Sequence, residues 1–511
     1  MDDRFWYKIG QAALLFAVIA MLAASLVVQN GSISSADVRE ILAEEGVAGS
    51  DVRQGWPVDQ SIRPDLTPIS ELKVALDSEQ HVSYAPDVPA PITRSDQRIY
   101  DVHIESIEGV CPLDPANNIT TEMWGFRIAG DDEVTCGSPG PVLRGRVGDV
   151  VNITLTNLAE NTRPHNIDFH AVTGQGGGAA GLTVNPGETA TIQIRLLYPG
   201  AFMYHCAFGD VPSHIAHGMY GMFIVDPENP LPEVDNEWAI VQSEWYVGEA
   251  DAQGVAPYDR DAVFNEEPRI ITFNGRTDSL VGANTLRMNV GERARIYFVN
   301  EGLNLDSNFH PIGSQWDLVY PEAATHSANN VIRGSQTTLV PAGGATVVEI
   351  DALVPSTIIL VDHALARTFY KGAIGTIEIT GDATPELFGV LQPDAETTND
   401  DSDSADDANP AGTEVAILEG AFDPNNADNA YNPLHVTVKV GTTIRWTNDD
   451  AIPHTVTSGT SDGSTGSSDG RFDSGFLNLG DTFSHTFTDV GEFSYFCLPH
   501  PWMIGTVTVT E

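Results

Sequence analysis

Four residues near the C-terminus have the types and spacing of a redox metal site. Cys497, His500 and Met503 fall in "YFCLPHPWM", and His454 lies upstream in "AIPHTV". A thiolate, two imidazoles and a distant thioether are the donors of a blue-copper electron-transfer centre, with the methionine as weak axial ligand. One turn supplies three donors and a separate strand supplies the fourth. A buried core thiol beside a packing methionine would account for Cys497 and Met503, but not for the two histidines. A second set of the same composition occurs earlier: Cys206, His214 and Met219 in "HCAFGDVPSHIAHGM", with His165 in "RPHNIDFH".

Two histidines are left over beside that second set. In "FMYHCAFGD", His205 directly precedes Cys206. Neighbours on a strand point to opposite faces, so one metal cannot easily use both. His170 follows His165 by five residues, an odd offset that also reverses the face on a regular strand. His170 and His205 are therefore expected to converge on a separate metal, for which two ligands are too few. The best third ligand is His363 in "ILVDHALARTFYKGAIG", from a stretch of chain without cysteine. His217, three residues after His214, reads as a surface or supporting histidine.

The elements that must position these residues read as β-strands. A chain of 511 residues exceeds one hydrophobic core, and three domains are expected. From about Arg98 short alternating segments such as "VVNITLTN" and "TATIQIRLL" are separated by turn clusters, the pattern of a β-sandwich. A coarse repeat, "VGDVVNITLTN", "VGERARIYFVN" and "VGTTIRWTN", marks one copy of the same strand in each of three units. The expected fold class is all-β, with three Greek-key sandwiches over 97–229, 230–385 and 413–511. Residues 386–412 are rich in acids and lack bases, which makes a flexible, self-repelling linker.

The N-terminus sets a location. Residues 1–29 hold an apolar run from Ile9 to Val28 behind Arg4 and Lys8, long enough to span a bilayer or to act as a signal peptide. Either way the body is expected outside the cytoplasm, held at the cytoplasmic membrane if the segment is retained, or secreted or periplasmic if it is cleaved. Residues 30–96 read as an extended arm or stalk. Cys111 and Cys136 lie in loop-like sequence without metal-type neighbours and read as a disulfide in that compartment. The balance of 71 acidic against 25 basic residues, net −46, argues against a nucleic-acid partner.

Residues from about 413 onward resemble the small cupredoxins, especially the amicyanin and plastocyanin group, on the His454, Cys497, His500 and Met503 pattern. Residues 97–385 resemble the copper-containing nitrite reductases of the compact class, on "HNIDFHAVTGQGGGAAG", "YHCAFGDVPSHIAHGMYG", "NFHPIGSQWD" and "LVDHALARTFYKGAIG". The resemblance implies three coppers per chain: two of type 1, at His165, Cys206, His214 and Met219 and at the C-terminal set, and one of type 2. The type 2 copper would use His170, His205 and a His363 from the neighbouring subunit, in a homotrimer. Asp168 and His310 would handle protons, and Ile312 would shape the nitrite pocket. The implied activity is dissimilatory one-electron reduction of nitrite to nitric oxide. The tethered C-terminal domain is expected to relay electrons from an external donor, a small redox protein or membrane chain, to the copper of Cys206. Pro311 and the "SQW" after Ile312 depart from the family pattern.

Two rivals make different demands. A laccase-like multicopper oxidase needs a trinuclear cluster usually fed by His-x-His pairs, and the chain has none. A non-catalytic membrane-tethered electron carrier would leave His170, His205, His363, Asp168 and His310 without a purpose.

Overall fold

In the computed structural model, residues 64–388 and 414–511 are described, apart from 77, 327–330, 423, 451, 464, 476 and 478. The expected membrane segment, the first part of the arm and nearly all of the acidic linker lie outside these residues. The described chain forms six sheets, paired as three β-sandwiches, as the strand patterning predicts. Alternation does the sorting. In His435–Lys439, for example, Val436 and Val438 are buried while the residues between them are exposed, so one face meets a core and the other meets water. Each sandwich closes on its own apolar cluster.

The three repeated segments become the strands Val150–Asn157, Arg293–Gly302 and Thr443–Asn448. Each has a parallel partner on one side and an antiparallel partner on the other. The repeat therefore reports a shared frame.

The second sheet of each sandwich positions the chemistry. In the first, the order of four of its five strands is Val142–Arg146, Tyr220–Asp226, Gly200–His205, Asp168–Phe169. In the second it is Leu286–Asn289, Ile374–Thr380, Ser356–Asp362, Ser307–Ile312, and in the third His435–Lys439, Ile504–Thr510, Gly491–Phe496, Thr457–Ser461. Strand directions agree in all three: one parallel pair, then two antiparallel ones. The residue that follows the third strand of this order is Cys206 in the first sandwich, Cys497 in the third and His363 in the second.

The first two sandwiches are fused by a shared apolar cluster containing Met203, Tyr220 and Met222 of one and Val241, Tyr297 and Val347 of the other. A buried ion network crosses the same seam. Arg144 donates to both carboxylate oxygens of Asp226 at 2.9 and 2.8 Å and to Glu237 at 2.6 Å. Arg295 in turn donates to Glu237 and Glu349. Charges taken out of water are tolerated when each finds an opposite partner. Within the part of the arm that is described, Lys73–Val74 and Val82–Ser83 pair with strands of both sheets of the first sandwich. Cys111 and Cys136 are bonded to each other. The third sandwich reaches the second through Ile452, which clusters with Ile359, Val361 and Ile374, and through Tyr370 against Trp502, ring centroids 5.8 Å apart.

Candidate metal centres

The strand Gly200–His205 ends at the edge of the first core, and Cys206 turns inward among Phe169, Tyr204 and Met219. Its Sγ lies 3.9 Å from His165 Nδ1 and 3.2 Å from His214 Nδ1, and those nitrogens are 3.3 Å apart. The point equidistant from these three atoms is about 2.0 Å from each, the length of a bond from a transition metal to nitrogen and close to that to sulfur. The C-terminal triad repeats the geometry, with Cys497 Sγ 3.6 and 3.5 Å from the Nδ1 atoms of His454 and His500, themselves 3.0 Å apart. Both donor sets fit a bound metal, and both are buried. Met219 and Met503 are fully buried beside their cysteines.

The protonation states suit ligands. Burial pushes both thiols up, to about 11, and lowers the His165 imidazole. Burial and then the neighbouring histidine bring His214 down to about 4 and His500 to about 3. Neutral imidazoles offer lone pairs, and a metal must displace the thiol proton.

Support from outside the donor sets is shared as well. His165 Nε2 is 3.0 Å from Glu108 Oε1, and His454 Nε2 is 2.9 Å from Asp450 Oδ2. Each carboxylate favours the tautomer with the proton on Nε2, leaving Nδ1 free to bind. The amides of Asn166 and Thr455, each one residue past its histidine, point at the cysteine sulfurs at 3.5 and 3.3 Å. Their side chains accept from the amides after the cysteines, at 2.7 and 2.8 Å.

The opposite face of the first sandwich's sheet holds a different group. Asp168 pairs directly with His205 in register, and His170 lies two residues further along, so the three side chains share the face that Phe169, Tyr204 and Cys206 do not use. His170 and His205 approach Nε2 to Nε2 at 3.2 Å. His205 Nδ1 lies 3.2 Å from its neighbour's carbonyl, Cys206 O, which favours a bare Nε2. Burial lowers both imidazoles, and for His170 the neighbouring His205 lowers it further. This face offers two nitrogens and a carboxylate, and His363 is not among the donor atoms gathered there.

His363 belongs to a matching face on the second sandwich. His310 pairs with Val361 and Ile312 with Ile359, so His310, Ile312 and His363 all point away from the core that takes Phe309 and Leu360. The rings of His310 and His363 are 4.9 Å apart and nearly perpendicular. The chain thus carries two groups of outward-facing histidines, on equivalent faces of its first two sandwiches.

Several contributors were not singled out from the sequence. Gln336 O lies 2.5 Å from His310 Nδ1, and Thr337 Oγ1 also reaches that nitrogen. Gly177 has φ +56°, and a Cβ there would collide with Asp168 Oδ1, so glycine lets the loop close over that carboxylate. His217 is not at the surface. It is buried, stacks flat on Trp124 with centroids 3.8 Å apart, and contacts Ser213 O through Nδ1.

Comparison with known proteins agrees with this architecture. Residues 419–510 match the family of copper binding proteins of the plastocyanin/azurin type, and residues 112–229 match the multicopper oxidase model. The copper-containing nitrite reductase of Neisseria gonorrhoeae is 41% identical over 307 residues, spanning 60% of this chain and 75% of the relative. That of Cereibacter sphaeroides is 33% identical over 270 residues, 49% of this chain and 71% of the relative. The solved copper nitrite reductase from Nitrosomonas europaea is 33% identical, covers 57% of this chain and 96% of its own, and has a TM-score of 0.49. The identity to the Neisseria protein extends over three quarters of that protein's length, and the chain belongs to the copper-containing nitrite reductases.

Proposed function

We propose that this chain reduces nitrite to nitric oxide, consuming one electron and two protons and releasing water. When bound, copper would supply one-electron storage at the two cysteine triads and a nitrite-binding, electron-donating position at the histidine site. Cys206, His165, His214 and Met219 would hold one storage copper, and Cys497, His454, His500 and Met503 the other. His170 and His205 would hold the third together with the partner subunit's His363, in a homotrimer. The observation that carries this reading is the pair of half-sites: each is incomplete, and equivalent faces of different sandwiches bear the missing parts.

Within that frame the chain's own groups have separate tasks. Asp168 and His310 would hold and hand over the two protons, a carboxylate and an imidazole beside an open position. Thr337 and Gln336 orient His310 for it. Ile312 presents an apolar wall to nitrite. The peptide between His205 and Cys206 links the storage site to the catalytic one. The third sandwich would act as an electron donor on a tether, kept at high effective concentration. In support, its His500 ring packs 6.2 Å from Phe369, in the helix that follows His363. The Cys111–Cys136 bond favours a compartment outside the cytoplasm, to which residues 1–29 would direct the chain as a retained anchor or a cleaved signal peptide.

Anaerobic addition of nitrite to the reduced, copper-loaded chain tests the proposal. Nitric oxide should form as the blue absorption returns. A fully loaded sample that releases none would overturn it.

A further inference from the structure

Trp124 touches both imidazoles of the first triad. Its ring centroid is 4.9 Å from that of His214, edge-on, and 5.9 Å from that of His165. The ring is held from several sides. Its backbone amide donates to His217 O, and its indole N–H donates to Glu122 at 2.9 Å. His217 lies flat on it, and the Arg163 guanidinium sits 4.3 Å over it, a cation–π contact. Arg163 also pairs with Glu108 and Glu122. Trp124 is 4% exposed and His214 6%, whereas the Arg163 side chain is 43% exposed. One half-exposed guanidinium therefore stands between solvent and an aromatic ring that reaches both copper imidazoles. The third sandwich repeats the theme: Trp502 lies 5.3 Å from His500 and 5.8 Å from Tyr370.

We infer that Trp124 is the residue through which electrons enter the first triad, a positioning residue that acts through His214. Arg163 and His217 fix its plane, and Glu122 fixes its tilt. The inference rests on the reading that this triad holds a redox copper. The step is a single electron transfer. A Cu(I) carrier protein is oxidised to Cu(II), the Cu(II) at Cys206 becomes Cu(I), and no bond or proton changes hands. The competing entry is the other edge of His214, beside Phe208 at 6.1 Å.

The test is anaerobic stopped-flow bleaching of the blue band in the copper-loaded chain carrying Cys497→Ala, which leaves one blue chromophore. The reductants are a reduced plastocyanin-type protein and, separately, dithionite. Trp124→Leu should keep the blue spectrum, the reduction potential and the dithionite rate, while bleaching by the protein donor slows roughly tenfold or more. Trp124→Tyr should recover part of that rate, and Phe208→Leu should leave it unchanged. An unaltered protein-donor rate in Trp124→Leu would overturn the inference, as would a slowing in Phe208→Leu alone. Loss of the blue band in both Trp124 variants would make the ring a structural wall of the site and would also overturn it. Absence of a blue band from the parent chain would instead refute the copper reading itself.

Discussion

The triads around Cys206 and Cys497 agree in nearly every local feature and differ in what stands behind the cysteine. Both set their three donor atoms on a circle of about 2.0 Å radius, share the amide pointed at sulfur, and have a carboxylate on the far nitrogen of one histidine. Behind Cys206 the strand ends in His205, which faces outward beside Asp168 and His170. Behind Cys497 it ends in Phe496, fully buried, and Thr457 takes the register position of Asp168. The donor geometry belongs to the frame. The far side of the same strand end sets the two apart: the first sandwich has two histidines and a carboxylate there, and the third has Phe496 and Thr457.

Making the first site resemble the third should therefore separate colour from turnover. His205→Phe should retain the blue band of the Cys206 site and lose nitrite turnover by on the order of a thousandfold, checked by visible spectra and nitric oxide release. Gly177→Ala attacks the same face more gently. The added methyl must push Asp168 aside, and a displacement near 1 Å costs on the order of a hundredfold. That loss should fall on kcat more than on KM, and the C-terminal site, which has no such loop, should keep its spectrum. The smallest effect tests what the two triads share. Glu108→Gln and Asp450→Asn should each weaken copper binding roughly 10- to 100-fold at their own site alone, measured by chelator competition on the two blue bands. Equal weakening at both sites from either change would show that the sandwiches are coupled.

Much of this was legible in the sequence because the decisive residues cluster at strand ends. Cys206, His214 and Met219 lie within one loop, as do Cys497, His500 and Met503, and the adjacency of His205 and Cys206 already required two faces. The repeated strand identified three frames without any tertiary information. What escaped depends on contacts between distant segments. Glu108 meets His165 across 57 residues, Thr337 meets His310 across 27, and Gly177 matters only because a loop folds back over Asp168. His217 reads in the sequence as either a surface or a supporting residue because nothing near it in the chain announces Trp124. The pairing of the arm is not legible, because two-residue strands such as Lys73–Val74 carry no periodicity of their own; register with the first sandwich makes them strands.

The position after the third strand of each ligand-bearing sheet holds Cys206, His363 and Cys497 in turn. A threefold duplication of one ancestral unit would leave this address in every copy, free to diverge without disturbing the barrel of strands around it. Divergence at that single address separates the copies that carry a thiol there from the one that carries an outward-facing imidazole. Specialisation of the three copies would then need few substitutions, because the strand order that aims the side chain is common to all three.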